Sequence, residues 1–292
     1  MNKKFDIEDL NSIRSDGYFK DFSHIKIGNK VQYLFLPRSV SDLALIFDFA
    51  SKNKLPLFPI GGGSNVLLGN AKKRVLLMDY KLPKTFDVNS DEVVVSANFN
   101  LNSLINILKK NSLGGLEFLV TIPAHIGGLL KMNAGAFGKN ISEYLKWIEV
   151  LNKKGEIEII PKDKIEFSYR KSSIKDYILK AAFKFERKLE EEIDSQIKKF
   201  KKIRKDSQPI NFPNLGCVFK NPKGESAGKL IDECGLKGEK IGDAEISEKH
   251  ANFIINKGNA SFEDVTNLIK LIQRKVYAKT GIELELEITV LN

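Results

Sequence analysis

The sequence predicts a mixed α+β or α/β protein of at least two domains. Three observations carry this expectation. Strand-like and helix-like stretches occur in both halves of the chain, and composition changes across residues 190–205, where a charged helical stretch gives way to the proline-bearing SQPINFPN. The 292 residues also suffice for two or three compact domains, each with its own core.

Residues 41–54 begin with Ser41 as an N-cap and Asp42 in the first turn. Leu43, Leu45, Ile46 and Phe49 follow at helical spacing, which predicts an amphipathic helix. The apolar run 55–60 leads into the glycines 61–63, and 74–78 reads as a further strand. Residues 93–97 predict a strand and 101–110 a helix with leucine and isoleucine on one face. Stretches 146–152 and 156–160 flank Lys153-Lys154-Gly155, the signature of a β-hairpin. Residues 177–185 read as a strand and 189–205 as a charged helix, after which Pro209 and Pro213 stop regular structure. Then come a short strand around Val218, a helix over 226–234 ended by Gly235, and a strand over 252–256. Ser261-x-x-Asp264 opens a long helix to Lys279, with Asp264 favouring the N-terminal dipole and Gly281 as the stop. Residues 283–291 alternate polar and apolar, which predicts a strand with one polar face.

Composition excludes several classes. No apolar run reaches the roughly 18 residues of a membrane span, and the N-terminus lacks the apolar core of a signal peptide, so a cytoplasmic protein is expected. Cys217 and Cys234 are too few for a disulfide framework. The histidines His24, His125 and His250 lack metal-ligand spacing, so no metal is expected. The net charge is +10, and 40 of the 47 basic residues are lysines spread along the chain. That pattern fits a lysine-rich solvated surface or the steering of phosphate-bearing ligands. Nucleic acid is disfavoured, because no stacking-aromatic motif or zinc module accompanies the charge.

Two glycine-rich segments are candidates for chemistry. In LFPIGGGSNV a strand runs into a turn whose bare backbone N–H groups suit a pyrophosphate nest. It is not a dinucleotide fingerprint: position 66 is Val, and no helix fits before the strand at 74. The second segment, IPAHIGGLLKMNAGAFG, has small residues at both of its clusters. These allow two stretches of backbone to approach one extended ligand, or equally a helix to pack closely on a sheet.

GGGSNVLL, IPAHIGGLLKMNAGAFG, SYRKSS, NLGCVFKNP and SEKHANFIIN stand in the order and spacing of the UDP-N-acetylenolpyruvoylglucosamine reductases, and LPRSVSDL and LELEITVL also fit. From about residue 20 to the C-terminus the chain resembles that family. The resemblance implies a vanillyl-alcohol-oxidase-type FAD-binding domain over 1–195, with lobes of about 1–82 and 83–195. An α/β substrate-binding domain over 196–292 would follow. It implies non-covalent FAD held by Ile60, Gly61, Gly62, Gly63, Ser64, Asn65 and Val66. The second FAD-holding set would be Ile122, Pro123, His125, Gly127, Gly128, Asn133, Ala134 and Gly135. His125 stands where the family has threonine or serine, and its role stays open between touching the pyrophosphate and filling space. No room exists between Arg170 and Cys217 for the tyrosine-bearing loop of longer members, so the chain resembles the shorter class.

The implied activity is reduction of UDP-N-acetylglucosamine enolpyruvate by NADPH through FAD, in a monomer that binds neither nucleic acid nor membrane. Such a reaction needs a hydride, which the cofactor supplies, stabilisation of charge pushed toward the carboxylate, and a proton for the adjacent carbon. Arg170 matches the family's arginine, a fork-shaped donor suited to a carboxylate. Glu287 matches its glutamate and would share in stabilising the enolate-like intermediate. Cys217 stands where the family most often has a serine proton donor; a thiol, with an unperturbed pKa of about 8.5, is the better acid. Lys220, Asn221, Glu248 and Lys249 are expected to face the UDP-sugar. Taken alone, each residue reads first as something plainer: Arg170 as a surface ion-pair residue, Glu287 as part of a polar strand face, and Cys217 as a small buried hydrophobe. The rival readings are a flavin oxidase of the same fold and a basic, colourless nucleic-acid or scaffold protein.

Overall fold

The computed structural model describes residues 10, 12–69, 74–78 and 81–292. The described residues divide into two compact units: those within 10–16, 32–62 and 74–201 form the first, and those within 17–31, 63–69 and 202–292 the second.

The first unit holds two sheets. A four-stranded sheet has the order Arg14–Ser15, Tyr33–Phe35, Val75–Met78, Leu57–Ile60, with its last two pairings parallel. Helix α1 (Val40–Lys52) turns Leu43, Ile46 and Phe49 into a core with Phe35, Val75 and Leu77. Its cap is Ser39 rather than Ser41: Ser39 has extended backbone, and its side chain accepts from the Asp42 N–H at 3.1 Å, whereas Ser41 already lies inside the helix.

The second sheet is antiparallel, in the order Ile157–Pro161, Leu145–Leu151, Tyr177–Lys184, Glu92–Ser96, Phe86–Asn89. The hairpin expected around Lys153–Gly155 is its outermost pair. Helices α2 (Leu101–Lys110) and α3 (Ile126–Lys131) bury Leu104, Leu108, Ile126 and Leu129 in one core with Val93, Val95, Ile148, Ala181 and Phe183. Helix α4 (Glu190–Ser207) carries the passage to the second unit, between residues 201 and 202.

In the second unit the strands Lys240–Ile241, Ala244–Ile246 and Ile254–Asn256 form an antiparallel sheet. Helices α5 (Ala227–Glu233) and α6 (Phe262–Thr280) share a core with it through Leu230, Ile231, Val265, Leu268 and Ile272. Ser261 and Asp264 close a capping box on α6, and Gly281 ends it in the left-handed conformation at φ 70°. Strand Val66–Leu68 pairs in parallel with Thr289–Leu291, and Leu67, Ile25 and Ile27 are buried in the same core. Those contacts draw 17–31 and 63–69 into a unit otherwise built from the C-terminal third.

Three expected strands are markedly shorter than their sequence patterns, of which 252–256 narrows to Ile254–Asn256. Over 283–291 only Thr289–Leu291 is a strand, because the segment changes partner: Leu286 bridges Phe219, whereas Thr289 onward pairs with 66–68. Around Val218 only the Phe219–Leu286 bridge forms, since a side chain, that of Asn252, occupies both main-chain polar groups of Phe219. Among the described residues no helix is long and apolar enough to cross a membrane.

Candidate active site

Strand Leu57–Ile60 delivers Gly61 and Gly62 to the second glycine segment. A Cβ on Gly62 would sit 2.6 Å from the Pro123 carbonyl oxygen, and one on Gly61 would sit 3.2 Å from His125 Cβ. The two glycine stretches of the first unit thus meet backbone to backbone. His125 is 5% exposed, with its ring against Gly61.

The second segment is held from α2. Asn102 accepts from the Thr121 N–H at 2.9 Å and donates to the Ile122 carbonyl at 3.3 Å. The clamp restrains Thr121 at φ 74°, a costly conformation for a β-branched residue. Gly127 lies against Ala97, its N–H donating to the Ala97 carbonyl at 2.8 Å, while Gly128 is exposed and a Cβ there would meet no protein atom within 4 Å. Asn133 is 5% exposed, and its Oδ1 is buried without a protein hydrogen-bond partner. Ala134 and Gly135 follow it: Ala134 accepts from the Ile141 N–H at 2.9 Å, and Gly135 pairs with Asn140.

Arg170 sits in the two-residue turn of the hairpin Phe167–Ser168/Lys171–Ser172, at φ 56°, with its guanidinium 5.0 Å from the Tyr169 ring centroid. A non-glycine residue in this region carries backbone strain that the surroundings must hold. The hairpin is tied to the glycine segment twice, and the residues just after it once more. Asn133 Nδ2 donates to the Ser168 carbonyl at 3.0 Å, Ser172 Oγ donates to the Lys131 carbonyl at 2.9 Å, and Lys131 Nζ donates to the Ile174 carbonyl. Burial lowers the Lys131 ammonium pKa below its usual value, partly offset by Asp176.

The other candidates lie in the second unit. Gly63 has φ 62°, and a Cβ there would fall 2.2 Å from the Phe22 carbonyl oxygen, so conformation and contact both require glycine. Ser64 and Asn65 follow, half-buried, and Asn65 Nδ2 donates to the Glu287 carbonyl at 3.3 Å. Asn65 O accepts from the Thr289 N–H at 2.9 Å, which places the end of this glycine turn beside Glu287. The Glu287 N–H donates to the Val218 carbonyl at 2.8 Å, and the Lys220 N–H to the Glu285 carbonyl at 2.8 Å. Cys217, half-buried, therefore precedes a residue bonded directly to Glu287.

The remaining expected contacts divide. Lys220 Nζ pairs with Glu285 at 3.1 Å beside this cluster. Asn221 Oδ1 accepts from the Ala227 N–H at 3.0 Å, at the start of α5. Glu248 is exposed, its carboxylate against Gly238, and Lys249 Nζ donates to the Lys205 carbonyl at the end of α4. Glu248 thus lies against the loop at Gly238, and Lys249 reaches the end of α4. Sequence reasoning missed Asn102 and the anchoring role of Asn133. Their amides serve main-chain groups 19 and 35 residues away, and no local pattern encodes such separations.

Residues 208–291 match the family model for the C-terminal domain of UDP-N-acetylenolpyruvoylglucosamine reductase, and residues 31–160 match an FAD binding domain. A Clostridium tetani protein named UDP-N-acetylenolpyruvoylglucosamine reductase is 37% identical over 290 residues, 98% of this chain and 94% of the relative. One of the same name from Aquifex aeolicus is 37% identical over 278 residues, 93% of each. The crystal structure of UDP-N-acetylenolpyruvylglucosamine reductase from Thermus caldophilus superimposes with a TM-score of 0.82 at 32% identity, covering 94% of this chain and 98% of that one.

Proposed function

Because the chain belongs to the UDP-N-acetylenolpyruvoylglucosamine reductases, FAD-dependent oxidoreductases of peptidoglycan precursor synthesis, we propose that it reduces UDP-N-acetylglucosamine enolpyruvate to UDP-N-acetylmuramate with NADPH, in the cytoplasm. Bound FAD supplies the hydride for the methylene carbon. The residues present fit that cofactor. Gly128 leaves open space at the start of α3, and the buried Asn133 Oδ1 lacks a protein donor. Of this chain's residues, Gly61, Gly62, Pro123, His125, Gly127, Gly128, Asn133, Ala134 and Gly135 would hold it, with Ile60 and Ile122 beside them, together with Gly63, Ser64, Asn65 and Val66. Attachment is non-covalent.

The protein's own groups do the rest. Arg170 binds the enolpyruvyl carboxylate as a bidentate fork, drawing charge onto it as the methylene carbon accepts the hydride. Glu287 stabilises the enolate-like intermediate. Cys217 then delivers its thiol proton to the carbon next to the carboxylate. Lys220, beside this pair, favours the anionic substrate, and Asn221, Glu248 and Lys249 line the sugar's approach.

The observation that carries this reading is the bond from the Glu287 N–H to the Val218 carbonyl, 2.8 Å long, which sets the glutamate next to the cysteine segment. Steady-state assay tests it: NADPH consumption should require the enolpyruvyl sugar and fall with Cys217→Ala. NADPH consumption unaffected by the sugar would favour the rival flavin oxidase.

A further inference from the structure

We propose that Asn252 is a positioning residue for Cys217, holding the thiol-bearing segment through an amide that takes the place of a neighbouring strand. The inference deepens the assignment of Cys217 as proton donor and rests on it. Asn252 is 2% exposed. Its Nδ2 donates to the Phe219 carbonyl at 2.8 Å, and its Oδ1 accepts from the Phe219 N–H at 2.9 Å. Its own carbonyl accepts from the Val218 N–H at 2.8 Å. Three hydrogen bonds thus run from one residue to the two that follow Cys217. On the other flank, the Gly216 N–H donates to Asn214 Oδ1 at 2.9 Å, with Gly216 in the left-handed region at φ 76°.

This is the form a support takes where no sheet continues. A primary amide presents one acceptor and a donor group in a plane, which matches the C=O and N–H of a single residue. Removing it leaves two buried main-chain groups unpaired. Asn252 is itself fixed: its N–H donates to His250 Nδ1 at 3.2 Å, and the His250 ring lies over Gly228, where a Cβ would fall 3.0 Å from Cε1. A general acid works only within hydrogen-bond reach of its target, so a small drift of the Cys217 segment is costly to proton transfer and not to binding of the nicotinamide.

Asn252→Asp provides the test, because it is isosteric and its match to Phe219 depends on protonation. A carboxylic acid offers one donor and one acceptor, like the amide; the carboxylate offers no donor and faces the Phe219 carbonyl oxygen. Burial raises the carboxyl above its unperturbed value of about 3.9. At pH 8 the variant should oxidise reduced flavin with the enolpyruvyl sugar at least tenfold more slowly than the parent. The variant-to-parent ratio should recover as pH falls, and flavin reduction by NADPH should be unchanged. In a Cys234→Ala background, iodoacetamide should alkylate Cys217 about tenfold faster in the variant at pH 8, as its segment loosens. Should Asn252→Asp not fold at pH 8, Asn252→Ser is measured the same way; it should be slow at every pH. A parental sugar half-reaction at pH 8, or equal losses in both half-reactions without acid recovery, would overturn the proposal. If instead Cys217→Ala turns over normally, the proton-donor reading fails by itself. The alkylation rate then decides: tenfold faster sustains positioning, and an unchanged rate overturns it.

Discussion

The Glu287 N–H donates to the Val218 carbonyl at 2.8 Å, so the carboxylate-bearing residue hangs by its main chain from the residue after Cys217. Glu287→Gln keeps that bond and the side chain's size, and should leave folding intact. It should slow oxidation of reduced flavin by the enolpyruvyl sugar by roughly 10²-fold or more. Glu285→Gln breaks only the Lys220 ion pair, at a carboxylate 75% exposed, and should keep near-parental turnover. The opposite ranking in stopped-flow would mean that the other glutamate of the alternating segment does the chemistry.

Cys217→Ala should leave flavin reduction by NADPH intact, since no substrate proton moves in that step. It should slow the sugar half-reaction by roughly 10²–10⁴-fold, the usual loss for a missing general acid. Cys217→Ser should retain far more, because a hydroxyl donates from the same place. Pre-steady-state rates for both variants check this; parental speed in Cys217→Ala would reduce the cysteine to a packing residue.

Arg170 is held at φ 56° in a two-residue turn, a conformation glycine adopts without strain. Arg170→Gly should therefore be no less stable than the parent and gain up to about 1 kcal/mol in denaturant unfolding, while losing the sugar half-reaction. Arg170→Lys should keep the strain and the charge yet lose the bidentate fork, and so also be slow. A destabilised Arg170→Gly would show that the arginine's contacts outweigh its backbone strain.

Burial, with help from Lys237, lowers the His250 pKa below 6.5. The folded protein then binds fewer protons at His250 than the unfolded chain does. Its contribution to stability is full above about pH 6.5 and is lost as pH falls from there through the folded value. The decline should be shallower in His250→Gln across the same window, as thermal unfolding at several pH values would reveal. Because His250 Nδ1 accepts the Asn252 N–H, the same acidification should loosen the Cys217 segment. Parallel stability curves for parent and variant would remove His250 from the account.

Local chemistry wrote much of the fold plainly. Helix α2 follows from its apolar spacing, α6 from Ser261, Asp264 and Gly281, and the 145–161 hairpin from Lys153-Lys154-Gly155. What the sequence hides is long-range exchange of partners. The alternation over 283–291 reads as one strand, yet it pairs first with Phe219 and then with Val66–Leu68, which no periodicity reveals. The glycines at 61–63 were legible as a place where backbone is approached closely. That Pro123 and Phe22 make the approach depends on tertiary structure. Arg170, Cys217 and Glu287 stood out as candidates only through whole motifs in order. The amides of Asn133 and Asn252 were not legible as supports, because an asparagine bonded to a distant main chain looks in sequence like any other.

The most direct measurement is a single turnover without oxygen. Protein whose bound FAD has been reduced is mixed with UDP-N-acetylglucosamine enolpyruvate, and the flavin absorbance is followed. The yellow colour of oxidised flavin should return in one turnover, with one equivalent of UDP-N-acetylmuramate formed. Flavin that stays reduced in the presence of the sugar, or protein that carries no flavin, would contradict it.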